Sequence, residues 1–202
     1  MRFVNLTIMA LLSLPACAQP RREPPLAPPP PNERVRVGAE VLLARHLPAL
    51  RGKRIALAAN ATSRLPGGPH LADTLRAAGL QLVRVFAPEH GFRGQAEAGA
   101  AIASGQDSAT GLQVVSLYGA GKRPKPEHLA DIDLVLFDMQ DVGARFYTYL
   151  STLCYLLEAC AEAGKVLYVL DRPNPNGFRL GGPVLDSAQA SFVGLHPVPI
   201  AH

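Results

Sequence analysis

Glu89, His90 and Arg93 fall within one short segment, Pro88-Glu89-His90-Gly91-Phe92-Arg93-Gly94. A carboxyl group and an imidazole are side chains that carry protons in general acid–base catalysis, and a guanidinium fork holds anions through paired N–H donors. The two glycines permit backbone angles that other residues avoid. Taken alone, the heptad also fits a surface turn whose charges are solvated.

The elements around it argue for more than a turn. Leu82-Val83-Arg84-Val85-Phe86 reads as a buried strand that ends at the heptad. Three more apolar runs end in polar loops. Ile55 to Ala59 runs into Asn60-Ala61-Thr62, Asp133 to Phe137 into the stretch Asp138 to Tyr149, and Val166 to Leu170 into the stretch Asp171 to Gly177. Near-continuous apolar runs predict parallel strands covered on both faces. Their C-terminal ends then point one way, and ligands of open α/β sheets bind in the crevice outside those ends.

Between the strands, Ala39 to Leu47 and Leu71 to Ala78 read as helices, the second closed by Gly79. Gln113 to Leu117 reads as a short strand and Glu127 to Ala130 as one helical turn at most. The clearest helix is Arg145 to Ala163, with Phe146, Leu150, Leu153, Leu157 and Cys160 on its predicted buried face and Gly164 at its end. The alternation predicts the α/β class: a Rossmann-like, mostly parallel sheet flanked by helices. Ala87 to Thr110 shows no regular pattern, and loops that long are usually functional. Beyond Asn176 the regularity fades, with Pro183, Pro197 and Pro199 interrupting short apolar pieces.

Three segments make up the predicted organisation. Residues 1–18 read as an export signal, with Met1-Arg2 ahead of an apolar stretch from Phe3 to Leu14. That stretch falls short of the roughly 20 residues a membrane-spanning helix needs. Leu14-Pro15-Ala16-Cys17 fits a lipobox, which makes Cys17 a lipidation candidate and implies membrane attachment through an N-terminal lipid. Ala16-Cys17-Ala18 fits ordinary A-x-A cleavage instead. Residues 19–34 are Pro-rich and favour a semi-rigid polyproline spacer; residues 35–202 form the folded body. Cys154 and Cys160, six apart on one helix, point to different sides and read as inert thiols. The formal charge of +4 includes Arg2, Arg21 and Arg22 of the leader and linker. Without a basic stripe interleaved with aromatics, nucleic acid is excluded as a partner.

The heptad, the stretches Asp138 to Tyr149 and Asp171 to Gly177, Gly182-Pro183-Val184-Leu185-Asp186 and Ser191-Phe192-Val193-Gly194-Leu195 resemble the DUF1343 family, associated with NamZ-type exo-β-N-acetylmuramidases of peptidoglycan recycling. The likeness runs from about Val35 to His202. In that family this position continues into a His-Gly-Met-Thr segment and a second, C-terminal domain, so the resemblance implies an N-terminal half whose second domain is missing. The resemblance also implies an acid, present in many relatives, where Gly181 precedes Gly182-Pro183 here.

The resemblance implies a peptidoglycan-derived saccharide as substrate and no cofactor. Glycoside hydrolysis needs a protonated carboxylic acid at the leaving oxygen and, commonly, a second carboxylate. Glu89 is the candidate acid. Asp138, Asp141 and Asp171 are candidates for the second carboxylate; Asp141 alternatively caps the following helix, and Asp171 alternatively pairs with Arg172 or Arg145. N-acetylmuramic acid carries a lactyl carboxylate, for which Arg93, Arg145 and Arg172 are candidate partners. His90, Tyr147 and Tyr149 are further substrate-binding candidates, as are Asn60, Gln140 and Asn174 with their two-sided hydrogen-bonding capacity.

Other chemistries fit poorly. Gly119-Ala120-Gly121-Lys122 has the outline of a phosphate loop, but Ser116 stands where its first glycine belongs and Arg123 replaces its Ser/Thr. No G-x-G-x-x-G follows the first strand. The histidines are scattered, so no metal is expected. Two readings remain: an exported glycosidase that releases N-acetylmuramic acid from the non-reducing ends of peptidoglycan fragments, periplasmic or membrane-anchored, and a non-catalytic muropeptide- or cell-wall-binding lipoprotein fragment.

Overall fold

A computed structural model describes residues 34–94 and 104–202. The leader, Cys17 and most of the Pro-rich tract lie outside the described residues. Six strands form one sheet: β1 (Arg54–Ala59), β2 (Gln81–Ala87), β3 (Gly105–Gln106), β4 (Gln113–Ser116), β5 (Leu134–Asp138) and β6 (Val166–Val169). Their order is β3-β4-β2-β1-β5-β6, with every pairing parallel except β3 with β4. The α/β class with a mostly parallel, helix-flanked sheet is thus the observed architecture.

Alternation of side chains along β1 builds a core on each face. Ile55, Leu57 and Ala59 pack on one side with Leu71, Leu75 and Leu136. Ala56 and Ala58 pack on the other with Phe86, Phe137 and Leu156. The register slips between Ile55 and Ala56, where Leu82 and then Arg84 are the partners on β2. The slip lets Leu82 and Val85 share a face despite their odd spacing. Arg54 fastens the start of β1 to that of β5. Its guanidinium reaches Asp133 Oδ1 at 2.7 Å and its N–H reaches Oδ2 at 2.8 Å, which holds the Asp133 carboxyl down at about 2.

Helices α1 (Gly38–Val41) and α2 (Leu47–Leu50) are joined through a π turn at Leu42–His46 where one regular helix is expected. α3 (Leu71–Ala77) and α4 (Pro126–Leu129) fall close to their predicted places. α5 (Tyr149–Glu162) starts four residues later than Arg145. Its buried face is Ser151, Thr152, Leu156, Ala159 and Cys160. Phe146 is 60% exposed and Leu157 45%, so the face read from Phe146 is displaced around the helix. Small side chains face the sheet because Ala56 and Ala58 of β1 leave room for close approach.

Two further expectations are corrected. β6 is an exposed edge rather than a covered strand, with Val166, Tyr168 and Val169 each about half exposed. The segment read as irregular between Ala87 and Thr110 contains β3, which caps the opposite edge. Among the described residues no helix is long and apolar enough to cross a membrane.

Candidate active site

The C-terminal ends of the parallel strands deliver Asn60 from β1, Glu89 from β2, Tyr118 from β4, Asp138 from β5 and Asp171 from β6 to one edge of the sheet. Glu89 leaves β2 in a turn closed by Gly91 N–H donating to Pro88 C=O at 3.0 Å. His90 holds φ +68° in that turn, a value that favours glycine or asparagine. Glu89, His90, Phe146, Tyr147, Thr148 and Tyr149 line a cleft of about 170 Å³. Thr148 Oγ1 donates to Glu89 Oε2 at 3.3 Å, and the Tyr118 phenol neighbours the same carboxyl group. The Glu89 partnership pushes the Tyr118 phenol above its ordinary value. Tyr149 is shared with a second cleft of about 180 Å³ that also includes Asp141, Asp171 and Arg172. Burial raises the Tyr149 phenol, and the neighbouring Asn60 side chain pulls the other way.

Asn60 is buried, and its contacts stitch the loops together. Its Oδ1 accepts from Thr62 N–H at 2.9 Å and Thr62 Oγ1 at 2.6 Å, while its carbonyl accepts from His70 Nε2 at 2.8 Å. His70 Nδ1 accepts from Ala72 N–H, which fixes the tautomer, and burial lowers the pKa of the ring. Thr62 Oγ1 in turn accepts from Gln140 N–H at 3.0 Å, and Gln140 Nε2 donates to the carbonyls of Asp141 and Pro173. Gln140 therefore ties the β5 loop to the β6 loop.

The charged candidates sort into reaching and committed groups. Asp138 is fully buried; Arg172 donates to its two oxygens at 2.7 and 3.0 Å and also reaches the Arg64 carbonyl. Burial pushes the Asp138 carboxyl up while the Arg172 fork opposes it. Arg93 spends its Nε and both terminal nitrogens on Asp73 and Asp107, at 2.9 to 3.2 Å, and lies over the Phe92 ring. Arg145 Nη1 donates to the carbonyls of Pro183 and Val198. Asp141 Oδ2 accepts from Gly143 N–H, an Asx turn rather than the helix cap foreseen for it. Asp171 Oδ1 accepts from Arg172 N–H, not from a guanidinium. Asp141 and Asp171 are therefore the candidate second carboxylates that retain open surface.

The C-terminal segment closes over this edge. Ala201 bridges both Ala144 and Gly181, and Asn174 Nδ2 donates to His202 C=O at 2.8 Å. Gly181 N–H and C=O both bond Ala201, so this residue works through its backbone. His202 Nε2 stands 3.8 Å from Asp141 Oδ2. Among the described residues no group of three potential ligands could hold a metal ion.

This arrangement of sheet and loops has counterparts in known proteins. The family model described as exo-beta-N-acetylmuramidase NamZ, N-terminal, matches residues 55–202. The chain belongs to the NamZ N-terminal family. The peptidoglycan beta-N-acetylmuramidase NamZ of Bacillus subtilis strain 168 is 44% identical over 171 residues, which are 84% of this chain and 41% of that protein. Two crystal structures of DUF1343 family proteins from Bacteroides fragilis superpose with TM-scores of 0.72 and 0.74 at 40% identity. Each alignment covers 84% of this chain and 44% or 43% of the other. The chain therefore spans less than half the length of the relatives it matches.

Of the nominated residues, the fold gathers Glu89, His90, Tyr147 and Tyr149 around one cleft, Asp141, Asp171 and Arg172 around its neighbour, and Asn60 and Gln140 beneath them. Arg93 is set apart with its two aspartates, and Arg145 and Asn174 hold the C-terminal segment. Sequence reasoning missed Thr148, which donates to Glu89, and Tyr118, whose phenol neighbours it. Both had a signal: Tyr118 follows β4 as Glu89 follows β2, and Thr148 lies within the loop already singled out.

Proposed function

We propose that the protein is a glycosidase of peptidoglycan turnover that removes N-acetylmuramic acid from the non-reducing ends of cell-wall fragments. Glu89 serves as the general acid, handing its proton to the glycosidic oxygen as the bond to the sugar breaks. The observation that carries this reading is Glu89 itself: a carboxyl group at a strand's C-terminal end, bonded by the Thr148 hydroxyl and neighboured by the Tyr118 phenol, at an open cleft walled by Tyr147, Thr148 and Tyr149. Membership of the NamZ family supports the substrate class. Tyr147 and Tyr149 offer ring faces and hydroxyls to a sugar, and Asp141 or Asp171 steadies the positive charge that grows at the anomeric carbon. The leader and Pro-rich tract support export, with the body held off a membrane by lipid on Cys17.

The test is turnover of a chromogenic N-acetylmuramic acid β-glycoside. Glu89→Gln should lower kcat by at least about a hundredfold while leaving the thermal midpoint in place. Full activity in that variant would refute the assignment. Binding of muropeptides without turnover by the unsubstituted protein would favour a cell-wall-binding role instead.

A further inference from the structure

Lys122 ends the Gly119-Ala120-Gly121-Lys122 loop, whose phosphate-loop outline has no place in the function above. The loop leaves the C-terminal end of β4 directly after Tyr118. Tyr118 therefore has two neighbours of interest: its phenol is raised by the nearby Glu89 carboxyl, and its ring lies 6.4 Å from that of Phe192. Phe192 is clamped by parallel stacking on Tyr155 of α5 at 6.2 Å. The Lys122 ammonium rests over the same Phe192 ring, 4.9 Å from its centre. Lys122 is thus held against Phe192, whose ring neighbours that of Tyr118, and Tyr118 in turn neighbours the Glu89 carboxyl.

Charge accounting leaves this lysine uncommitted to any carboxylate. A substrate carboxylate needs a cation that is not already neutralised. Arg93 and Arg172 are spent on aspartates, and Arg145 fastens the C-terminal segment through backbone carbonyls. Among the described residues no carboxylate pairs with Lys122; the Phe192 face is its partner. An ammonium over an aromatic face still has N–H donors on the side away from the ring. Gly119, Ala120 and Gly121 are exposed, and a side chain at Gly119 would meet nothing, so the approach to Lys122 is open.

We propose that Lys122 reads the lactyl carboxylate that distinguishes N-acetylmuramic acid from N-acetylglucosamine, and so sets the substrate preference of the Glu89 cleft. The inference rests on the function proposed above. It assigns a specificity role, not a catalytic one.

The test is an NMR titration of the 202-residue protein with two disaccharides, N-acetylmuramyl-N-acetylglucosamine and chitobiose. The unsubstituted protein should prefer the first. Lys122→Met should lose about three- to tenfold of that preference, through weaker binding of the muramyl disaccharide alone, with chitobiose unchanged. Lys122→Arg should restore most of it. Should the methionine variant fail to fold, Lys122→Gln gives the same readout. A preference that survives Lys122 replacement overturns the lysine's role and leaves the glycosidase reading standing. If the unsubstituted protein shows no preference between the sugars, the proposed substrate falls and this inference with it.

Discussion

Replacing Arg172 with methionine would expose how much of this site rests on one buried ion pair. The Arg172 side chain is 7% exposed and that of Asp138 0%, and the guanidinium meets both carboxylate oxygens at 2.7 and 3.0 Å. Removing one partner of such a pair leaves an uncompensated buried charge, which costs about 3–5 kcal/mol. In a domain of this size that corresponds to a fall in the thermal midpoint of roughly 6–20 °C. The penalty also depends on pH, in a direction fixed by the burial that raises the Asp138 carboxyl. A carboxyl group whose folded pKa exceeds its unfolded value of about 3.9 binds more protons when folded, so its cost is full above the folded pKa and is relieved as pH falls through it. Without Arg172 the folded value rises further. The urea-measured difference between Arg172→Met and the unsubstituted protein should therefore be largest near neutrality and shrink towards pH 4. Arg172→Met/Asp138→Asn should recover most of the loss, because no charge then remains to be buried. A loss below about 1 kcal/mol at pH 7, or one that does not change with pH, would refute the reasoning.

Gly143→Ala should lower stability by about 1–2 kcal/mol in urea denaturation: the residue holds φ +65°, and a Cβ would sit 2.4 Å from His202 O and 2.5 Å from Asn174 Nδ2. The C-terminal segment should loosen with it, read as faster amide exchange at His202, which donates its N–H to Gly143 C=O. Cys160 is 1% exposed, and burial pushes its thiol up to about 11. A thiol reagent at pH 8 should label it at least about tenfold more slowly in the native than in the urea-unfolded protein; equal rates would contradict that burial.

Strand identity and direction were legible because a covered parallel sheet demands continuous apolar runs, and β1, β2 and β5 consist of little else. β6 is apolar too, and sequence cannot distinguish an apolar strand that is covered from one at an edge. The α5 face was misread for a local reason. Counting from Phe146 assumes that Arg145 to Thr148 is helical, whereas those residues form the loop that carries the wall of the cleft. The arginines show a deeper limit. Arg93 meets Asp107 across 14 residues and Arg172 meets Asp138 across 34, and neither spacing marks a pair in the sequence. Which cation is consumed by the scaffold and which faces a ligand is decided only when the loops close.

The turn that presents Glu89 connects that scaffold to the chemistry. A non-glycine residue at φ +68° costs roughly 1 kcal/mol, and such strain persists only where the surroundings over-determine it. Here the chain is fixed on both sides of His90. Before it, β2 is paired with β1 and β4. After it, Phe92 is 4% exposed with its ring edge-on to His70 at 4.8 Å, and Arg93 is locked between Asp73 and Asp107. Relaxing His90 would require moving Phe92 out of the core or breaking the Arg93 pairs. Arg93 and its aspartates therefore serve the site without touching it: they hold the far end of a strained turn, and the turn fixes where the Glu89 carboxyl meets Thr148 and Tyr118. A general acid must lie within hydrogen-bond reach of the oxygen it protonates, so a displacement of even 1 Å is costly. The most charged cluster near Glu89 is thus explained as the device that aims it.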